Sequence, residues 1–342
     1  MSSLPVEKSS KVKPQKILDM NYAFAQTAML VAAVRLHLFT HLSDGALTPT
    51  DLAARAHTVP GPTERLLKGL EVAGLVENVG DAYQLTPISD HFLVEGRSSY
   101  LGGDTLAMLD YLPAWFNLDE TLRTSTPYRD LGYAATAEEF FAPRVQDLFP
   151  LIYPLAKRAA DLLPIEEGRG SSLQILDVGA GSAPWSAAFA QRYAAAHVTA
   201  LDLPAVVEQG KQQIAKLELS ERYKWISADM EIMTYSSLSY DLIIVGHICR
   251  FIGEDRSRAL IRKLEQSLRP GGVLLLADVF FSEDHKSPPA ARTLDLSMLV
   301  NTLHGGIWTC SEVSNWLSEC GLHQIQRLDV SGPFPLLIAY KP

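Results

Sequence analysis

Cysteine is scarce in this chain of 342 residues: Cys249, Cys310 and Cys320 are the whole set, and none stands in CxxC spacing. That argues against a disulfide framework or a zinc ribbon and fits a reducing, cytoplasmic setting. Positive charge is also short. Thirty Lys and Arg face 39 Asp and Glu, for a net charge of −9, whereas phosphate neutralisation on a nucleic acid needs the opposite balance gathered on one face. No apolar run approaches the ~18 residues of a membrane span; the richest, residues 27–39, carries Arg35 and His37. Residues 1–15 hold Lys8, Lys11 and Lys13 among Ser and Pro without an apolar stretch. They read as a disordered tail, not a signal peptide. Neither a nucleic-acid nor a membrane partner is expected.

What is present is the make-up of a globular protein, 47% apolar and 20% charged, over a length that suits two domains. Two textures meet near residue 165. Residues 16–165 repeat apolar side chains at three- and four-residue spacing and read as a mostly helical domain. From residue 166 to 342, short Val/Ile/Leu runs alternate with helical segments, the mark of a parallel sheet covered by helices on both faces. The join, residues 164–172, is polar and glycine-rich.

Within the helical half, residues 20–39 are apolar all round a helical circumference, which predicts burial on both sides. In so small a domain the second side suits another subunit better than a monomer's own core. Residues 47–57 and 62–75 then predict two short helices, and residues 76–85 a hairpin about Gly80-Asp81, together a winged helix. Residues 51–90 carry six acids (Asp51, Glu64, Glu71, Glu77, Asp81, Asp90) against three bases (Arg55, Arg65, Lys68). That is the wrong sign for a DNA face, so a regulator that senses a cofactor is the weakest reading.

The second half opens on an apolar strand running into Asp177-Val-Gly-Ala-Gly181. Its glycines let a ligand approach the backbone, and a helix starting near Pro184 offers free N–H groups beyond. A dinucleotide fingerprint would want glycine at 184, where proline stands. The next strand ends in Asp202, a carboxylate suited to the two hydroxyls of a ribose. Ala228-Asp229-Met230 then supplies an acid and an apolar side chain for a purine ring. A fourth strand, residues 241–246, leads into His247-Ile-Cys-Arg-Phe251 at the carboxyl ends of the strands, where open α/β sheets bind ligands. Leu268-Arg-Pro-Gly-Gly272 stops the next helix before the strand Val273-Leu-Leu-Leu-Ala-Asp278.

Asp177-Val-Gly-Ala-Gly181, Asp202, Ala228-Asp229 and Leu268-Arg-Pro-Gly-Gly272 together resemble the successive motifs of class I S-adenosylmethionine-dependent methyltransferases. Gly74-Leu-Val-Glu77, Tyr83-Gln-Leu-Thr-Pro87 and Leu122-Arg-Thr124 are similar to one branch, the small-molecule O-methyltransferases with an N-terminal winged-helix dimerisation domain. Plant caffeate, acetylserotonin and antibiotic-tailoring enzymes belong there. The resemblance spans about residues 16–340. It implies a Rossmann-like sheet of seven strands, the last antiparallel, S-adenosylmethionine as cofactor, and a homodimer formed through the first domain. By position it gives Gly179, Ala180 and Gly181 to the methionine end of the cofactor, Asp202 to the ribose, and Asp229 and Met230 to the adenine, with Asp177 and Leu203 also among the cofactor contacts. Gly246 borders the same site. Strand-end capping is the plainer reading of Asp177 and Asp202. Ala183 stands where many members have a third glycine.

The catalytic pair of that branch departs from the pattern. The position of the usual base His falls on Arg250, which stays protonated and cannot accept a proton. No acid follows the paired glycines of His304-Gly-Gly-Ile-Trp-Thr309, where plant members place a Glu. Alignment of the reactants is worth about 7–11 kcal/mol and a general base only about 10²–10⁴ in rate, so an acceptor that is already anionic dispenses with the base. Arg250 would then hold the anion, and His247 or His304 is the alternative base. No metal site is read. Trp115, Phe116, Met298, Asn301 and His304 are the expected substrate contacts, an apolar set for a flat small molecule. The leading reading is a methyltransferase of a small aromatic or polyketide-like acceptor, by O-methylation. The alternative is a repurposed fold that binds S-adenosylmethionine but does not methylate.

Overall fold

A computed structural model of the chain describes residues 13–163, 165, 172–330 and 335–342. The tail expected over residues 1–15 lies outside the described residues up to position 12, as does most of the join at 164–172. The chain forms two compact units that divide between Leu106 and Ala107. Helices from residue 107 to 163 therefore pack in the unit that holds the large sheet.

The first unit begins with α1 (Gln15–Arg35). The single helix expected over 20–39 is broken: His37 adopts a left-handed φ of 51° before α2 (Leu38–His41), and the turn sends Leu38 and Phe39 into the core at 1% exposure. Burial on both sides is not found within one chain. Val31, Ala33 and Val34 are buried, but Ile17, Met20, Tyr22 and Phe24 are 65–70% exposed. By length and composition alone α1 is long and apolar enough to cross a membrane, which corrects the expectation that no run reaches that length. Helices α3 (Pro49–Arg55) and α4 (Pro60–Val72) and the hairpin β1 (Val76–Val79) and β2 (Ala82–Leu85) build the winged helix. Thr48 caps α3 by accepting from the Asp51 N–H, and Leu52, Leu67, Leu70, Val76 and Tyr83 form the core beneath. Helices α5 (Pro87–Phe92) and α6 (Gly102–Ala107) follow.

The second unit starts with α7 (Leu112–Trp115), α8 (Leu118–Thr124), α9 (Ala134–Phe141) and α10 (Val145–Leu162). Five parallel strands come next, separated by helices: β3 (Gln174–Val178), α11 (Pro184–Arg192), β4 (His197–Asp202), α12 (Pro204–Lys216), β5 (Tyr223–Ser227), β6 (Tyr240–Gly246), α13 (Cys249–Ile252), α14 (Glu254–Ser267) and β7 (Leu268–Ala277). The short β8 (Phe280–Phe281), α15 (Pro289–Asn301), β9 (Trp308–Thr309) and α16 (Cys310–Glu319) precede β10 (His323–Leu328) and β11 (Leu336–Tyr340). The sheet runs β10-β11-β7-β6-β3-β4-β5, with the last strand, β11, antiparallel to both neighbours. Where Leu268-Arg-Pro-Gly-Gly272 was expected to stop a helix ahead of the strand, β7 already pairs at Leu268 with Tyr240. The register then shifts before Val273 meets Leu242. Gly271, at φ 70°, absorbs that irregularity. Strands β3, β6 and β7 are apolar throughout because helices cover both faces, and two core clusters fill the space on either side of the sheet.

Candidate active site

The carboxyl ends of β3, β4, β6 and β7 gather the chemistry, as an open parallel sheet requires. After β3 the chain turns through Gly179 (φ 67°) and Gly181 (φ 58°). The N–H groups of Gly179 and Ala180 both donate to the Leu201 carbonyl, which ties the loop to β4. A Cβ on Gly179 would stand 2.3 Å from Ile248 Cδ1, whereas one on Gly181 would meet nothing nearer than Val145 at 3.8 Å. The first glycine serves packing. The second would take a Cβ in ordinary contact with Val145. Ala183 holds a left-handed φ of 59°, a conformation glycine would meet without the ~1–2 kcal/mol cost of a Cβ.

Asp202, the last residue of β4, accepts from Gly181 N through Oδ2 and from Leu203 N through Oδ1, each at 2.7 Å. Desolvation pushes its carboxyl up to about 6, against those two hydrogen bonds. Asp177 is turned the other way. It lies buried under α11, accepts from Ser186 Oγ at 2.5 Å, and Ser186 in turn accepts from Tyr223. Burial pushes its carboxyl up to about 7. Asp229 accepts from Glu231 N at 2.9 Å, and the Met230 carbonyl accepts from Tyr235; both residues stay half-buried beyond β5. Gly246 ends β6 with the Trp185 indole so close that a Cβ would stand 2.7 Å from it.

Beyond Gly246, His247 takes a left-handed φ of 61° while its N–H donates to the Ala277 carbonyl. Its Nδ1 lies 3.0 Å from Arg250 Nη1. The same Nη1 donates to Asp278 Oδ1 at 2.9 Å, and the Arg250 N–H reaches Asp278 Oδ2 at 3.3 Å. Asp278 is 5% exposed and also accepts from Val279 N. Sequence reasoning passed over Asp278. The signal it offered was an acid closing an apolar strand, the same signal that marked Asp202. Trp185, also missed, brings its indole to 6.0 Å from the His247 ring. Three buried polar atoms here have no partner: Trp185 Nε1, His247 Nε2 and Arg250 Nε.

The expected substrate contacts scatter. Met298 packs in a small cluster with Phe281, Ala291 and Ile307, with Phe251 against it. Asn301 is fully buried, donates to the Ser297 carbonyl, and leaves its Oδ1 without a partner. Trp115 ends α7, which packs on α15. Phe116 is 82% exposed and His304 is exposed too, so neither side chain joins this group. The backbone of the His304 segment does: a Cβ on Gly305 would collide with the Arg250 carbonyl, which accepts from Gly306 N at 3.0 Å. Trp308 packs edge-on against Trp316 in the core. A row of edge-to-face rings, Tyr111, Phe140, Phe141 and Phe251, runs instead from the turn ahead of α7 to α13, with centroids 4.9–5.2 Å apart.

The comparisons with known proteins agree with this layout. Residues 165–323 match the O-methyltransferase domain and residues 18–95 the O-methyltransferase dimerisation domain. The tetracenomycin polyketide synthesis 8-O-methyltransferase of Streptomyces glaucescens is 29% identical, over 96% of this chain and 97% of its own length. The 3-hydroxy-5-methyl-1-naphthoate 3-O-methyltransferase of Streptomyces sahachiroi is 24% identical over 94% and 92%. Human N-acetylserotonin methyltransferase, solved with S-adenosylmethionine, superposes with a TM-score of 0.81 at 21% identity, over 97% and 99% of the two chains. The residues present fit that cofactor. Asp202 keeps a lone pair on each oxygen for a diol, the Gly181 N–H holds it in place, and Trp185 Nε1 is a buried donor without a partner. S-adenosylmethionine is the cofactor, and the chain belongs to the S-adenosylmethionine-dependent O-methyltransferases that carry an N-terminal dimerisation domain.

Proposed function

We propose that this methyltransferase works as a homodimer and methylates an oxygen of a small, flat, mostly apolar acceptor, without a dedicated His–Glu base pair. The observation that carries the reading is the state of Arg250, which the resemblance sets at the base position. Arg250 stands there, with its guanidinium engaged by Asp278 and His247. A guanidinium only donates, so proton removal at this point has no acceptor. Gly179, Ala180, Gly181, Asp202, Leu203, Asp229, Met230 and Gly246 would hold the cofactor, whose sulfonium supplies an electrophilic methyl group when bound. The chain's own contribution is then alignment, worth about 7–11 kcal/mol. The aromatic row ending at Phe251 supports a planar acceptor. So do the naphthoate and tetracenomycin polyketide named for two relatives. The exposed apolar residues of α1 lie within the match to the dimerisation domain from residue 18 onward, which supports the homodimer.

Methyl-labelled S-adenosylmethionine, offered with naphthol, phenol, enol and oxo-acid metabolites, tests the reading by mass spectrometry. Label appearing on the oxygen of an aromatic acceptor, matched one-to-one by S-adenosylhomocysteine, is the expected result. A changed acceptor with the cofactor intact would refute it.

A further inference from the structure

His247 and Asp278 stand beside each other because β6 and β7 are in parallel register, with Gly246 opposite Ala277. Yet the carboxylate does not touch the imidazole. Asp278 Oδ1 and His247 Nδ1 are 4.0 Å apart, and the Arg250 guanidinium bridges them through Nη1, at 2.9 Å and 3.0 Å. That interposition reverses the usual logic of a carboxylate–imidazole pair. A carboxylate on Nδ1 accepts its proton and leaves Nε2 as the basic nitrogen. A guanidinium has only protons to give, so Nδ1 must be the acceptor and the ring's own proton resides on Nε2. His247 Nε2 is buried and partnerless, and the Trp185 indole, which packs against Gly246, has its centroid 6.0 Å from the imidazole's. A buried N–H left unsatisfied costs about 1–3 kcal/mol. The left-handed backbone at His247 adds strain.

From this arrangement we infer that His247 is a fixed neutral hydrogen-bond donor to the acceptor's oxygen, not a base, with Arg250 and Asp278 as the positioning residues that lock its tautomer. The inference rests on the O-methylation reading above and narrows it. The acceptor is an acidic phenol or enol that reaches the site as its anion, having lost its proton to solvent. Its oxygen lone pair forms the new O–C bond as the S–C bond breaks and that pair leaves on sulfur. No proton moves on the protein. The charged and titratable groups facing the ring are consistent with this. Burial, then the Arg250 charge, holds His247 well below the ordinary histidine range. Burial pushes the neighbouring Cys249 thiol up to about 12, so it stays neutral, and Trp185 carries no charge.

Nitrogen-15 NMR of the full-length protein with S-adenosylhomocysteine reads the tautomer without turnover, the His247 signals being assigned by their loss in His247→Gln. The expected spectrum shows a proton on Nε2 and none on Nδ1, unchanged from pH 6 to 9. Arg250→Lys should keep it, while Arg250→Met should let the ring titrate at higher pH than in the wild type. A proton on Nδ1, or a wild-type ring that titrates in that window, overturns the lock. The donor role is read from methylation of phenol, 1-naphthol, 2-acetyl-1-naphthol and 4-nitrophenol against pH. Rates that rise with each acceptor's own ionisation support it, as does a loss of about 10- to 100-fold in His247→Leu that His247→Gln largely restores. A single pH midpoint shared by all four acceptors would mean a protein base and overturn it. Methylation of none of them refutes the acceptor reading and the donor's use with it, while the spectrum still decides the tautomer.

Discussion

At Asp202, two backbone N–H groups and the loss of water act on one carboxyl in opposite directions, and desolvation wins, leaving it near 6. A ribose diol donates to the ionised form, so cofactor binding favours the charged carboxylate and lowers its pKa in the complex. Affinity for S-adenosylmethionine should therefore hold above pH 7 and weaken by about tenfold per unit as pH falls below 6. Calorimetric titrations from pH 5 to 8 check this. Asp202→Asn should bind weakly at every pH and lose the dependence. A wild-type affinity flat down to pH 5 would remove Asp202 from the cofactor's contacts. The sequence pointed to this residue through its place at the end of a strand. It gave the ribose to Asp202 and kept Asp177 among the cofactor contacts, with strand-end capping as the plainer reading; the fold turns Asp177 beneath α11 onto Ser186.

The element proposed to carry the cofactor loop, β3 and its turn into α11, depends on two glycines that fail differently. Gly179→Ala forces a methyl to 2.3 Å from Ile248 Cδ1 in a left-handed conformation, whereas Gly181→Ala makes only ordinary contact with Val145 at 3.8 Å and bears the backbone cost alone. Chemical denaturation should show Gly181→Ala losing about 1–2 kcal/mol and Gly179→Ala losing more, because overpacking adds about 1–3 kcal/mol. Cofactor binding should separate them in the reverse sense, with Gly181→Ala the more impaired for its stability because its methyl sits on the residue whose N–H donates to Asp202. Equal losses in both assays would contradict this division of labour. Element types were legible from periodicity: the winged helix, the βα alternation and α14 stand where the pattern put them. Their junctions were less so. The break at His37 and the early start of β7 at Leu268 depend on where Leu38 and Phe39 find a core and on Tyr240 as a pairing partner, and neither condition is local.

For the whole molecule, the proposed homodimer rests on the exposed face of α1. Ile17, Met20, Tyr22 and Phe24 lie open in one chain, and each would gain about 1.5–3 kcal/mol on full burial. Met20→Glu combined with Phe24→Glu should convert a dimer into a monomer by sedimentation equilibrium, while the winged-helix core, which uses other residues, stays folded by circular dichroism. A wild type that sediments as a monomer would refute the homodimer. Charge balance, periodicity and the order of motifs are properties of the chain itself, so the fold class could be read from it, and the cofactor and the dimerisation domain through the family resemblance those motifs carry. The aromatic row and the fate of Arg250 could not. Arg250 reads alone as a free cation that holds an anion. Only the parallel register of β6 and β7 brings Asp278, 28 residues on, against it and makes it a bridge to His247. Sheet register is fixed by packing across the whole core, which no local stretch of sequence contains.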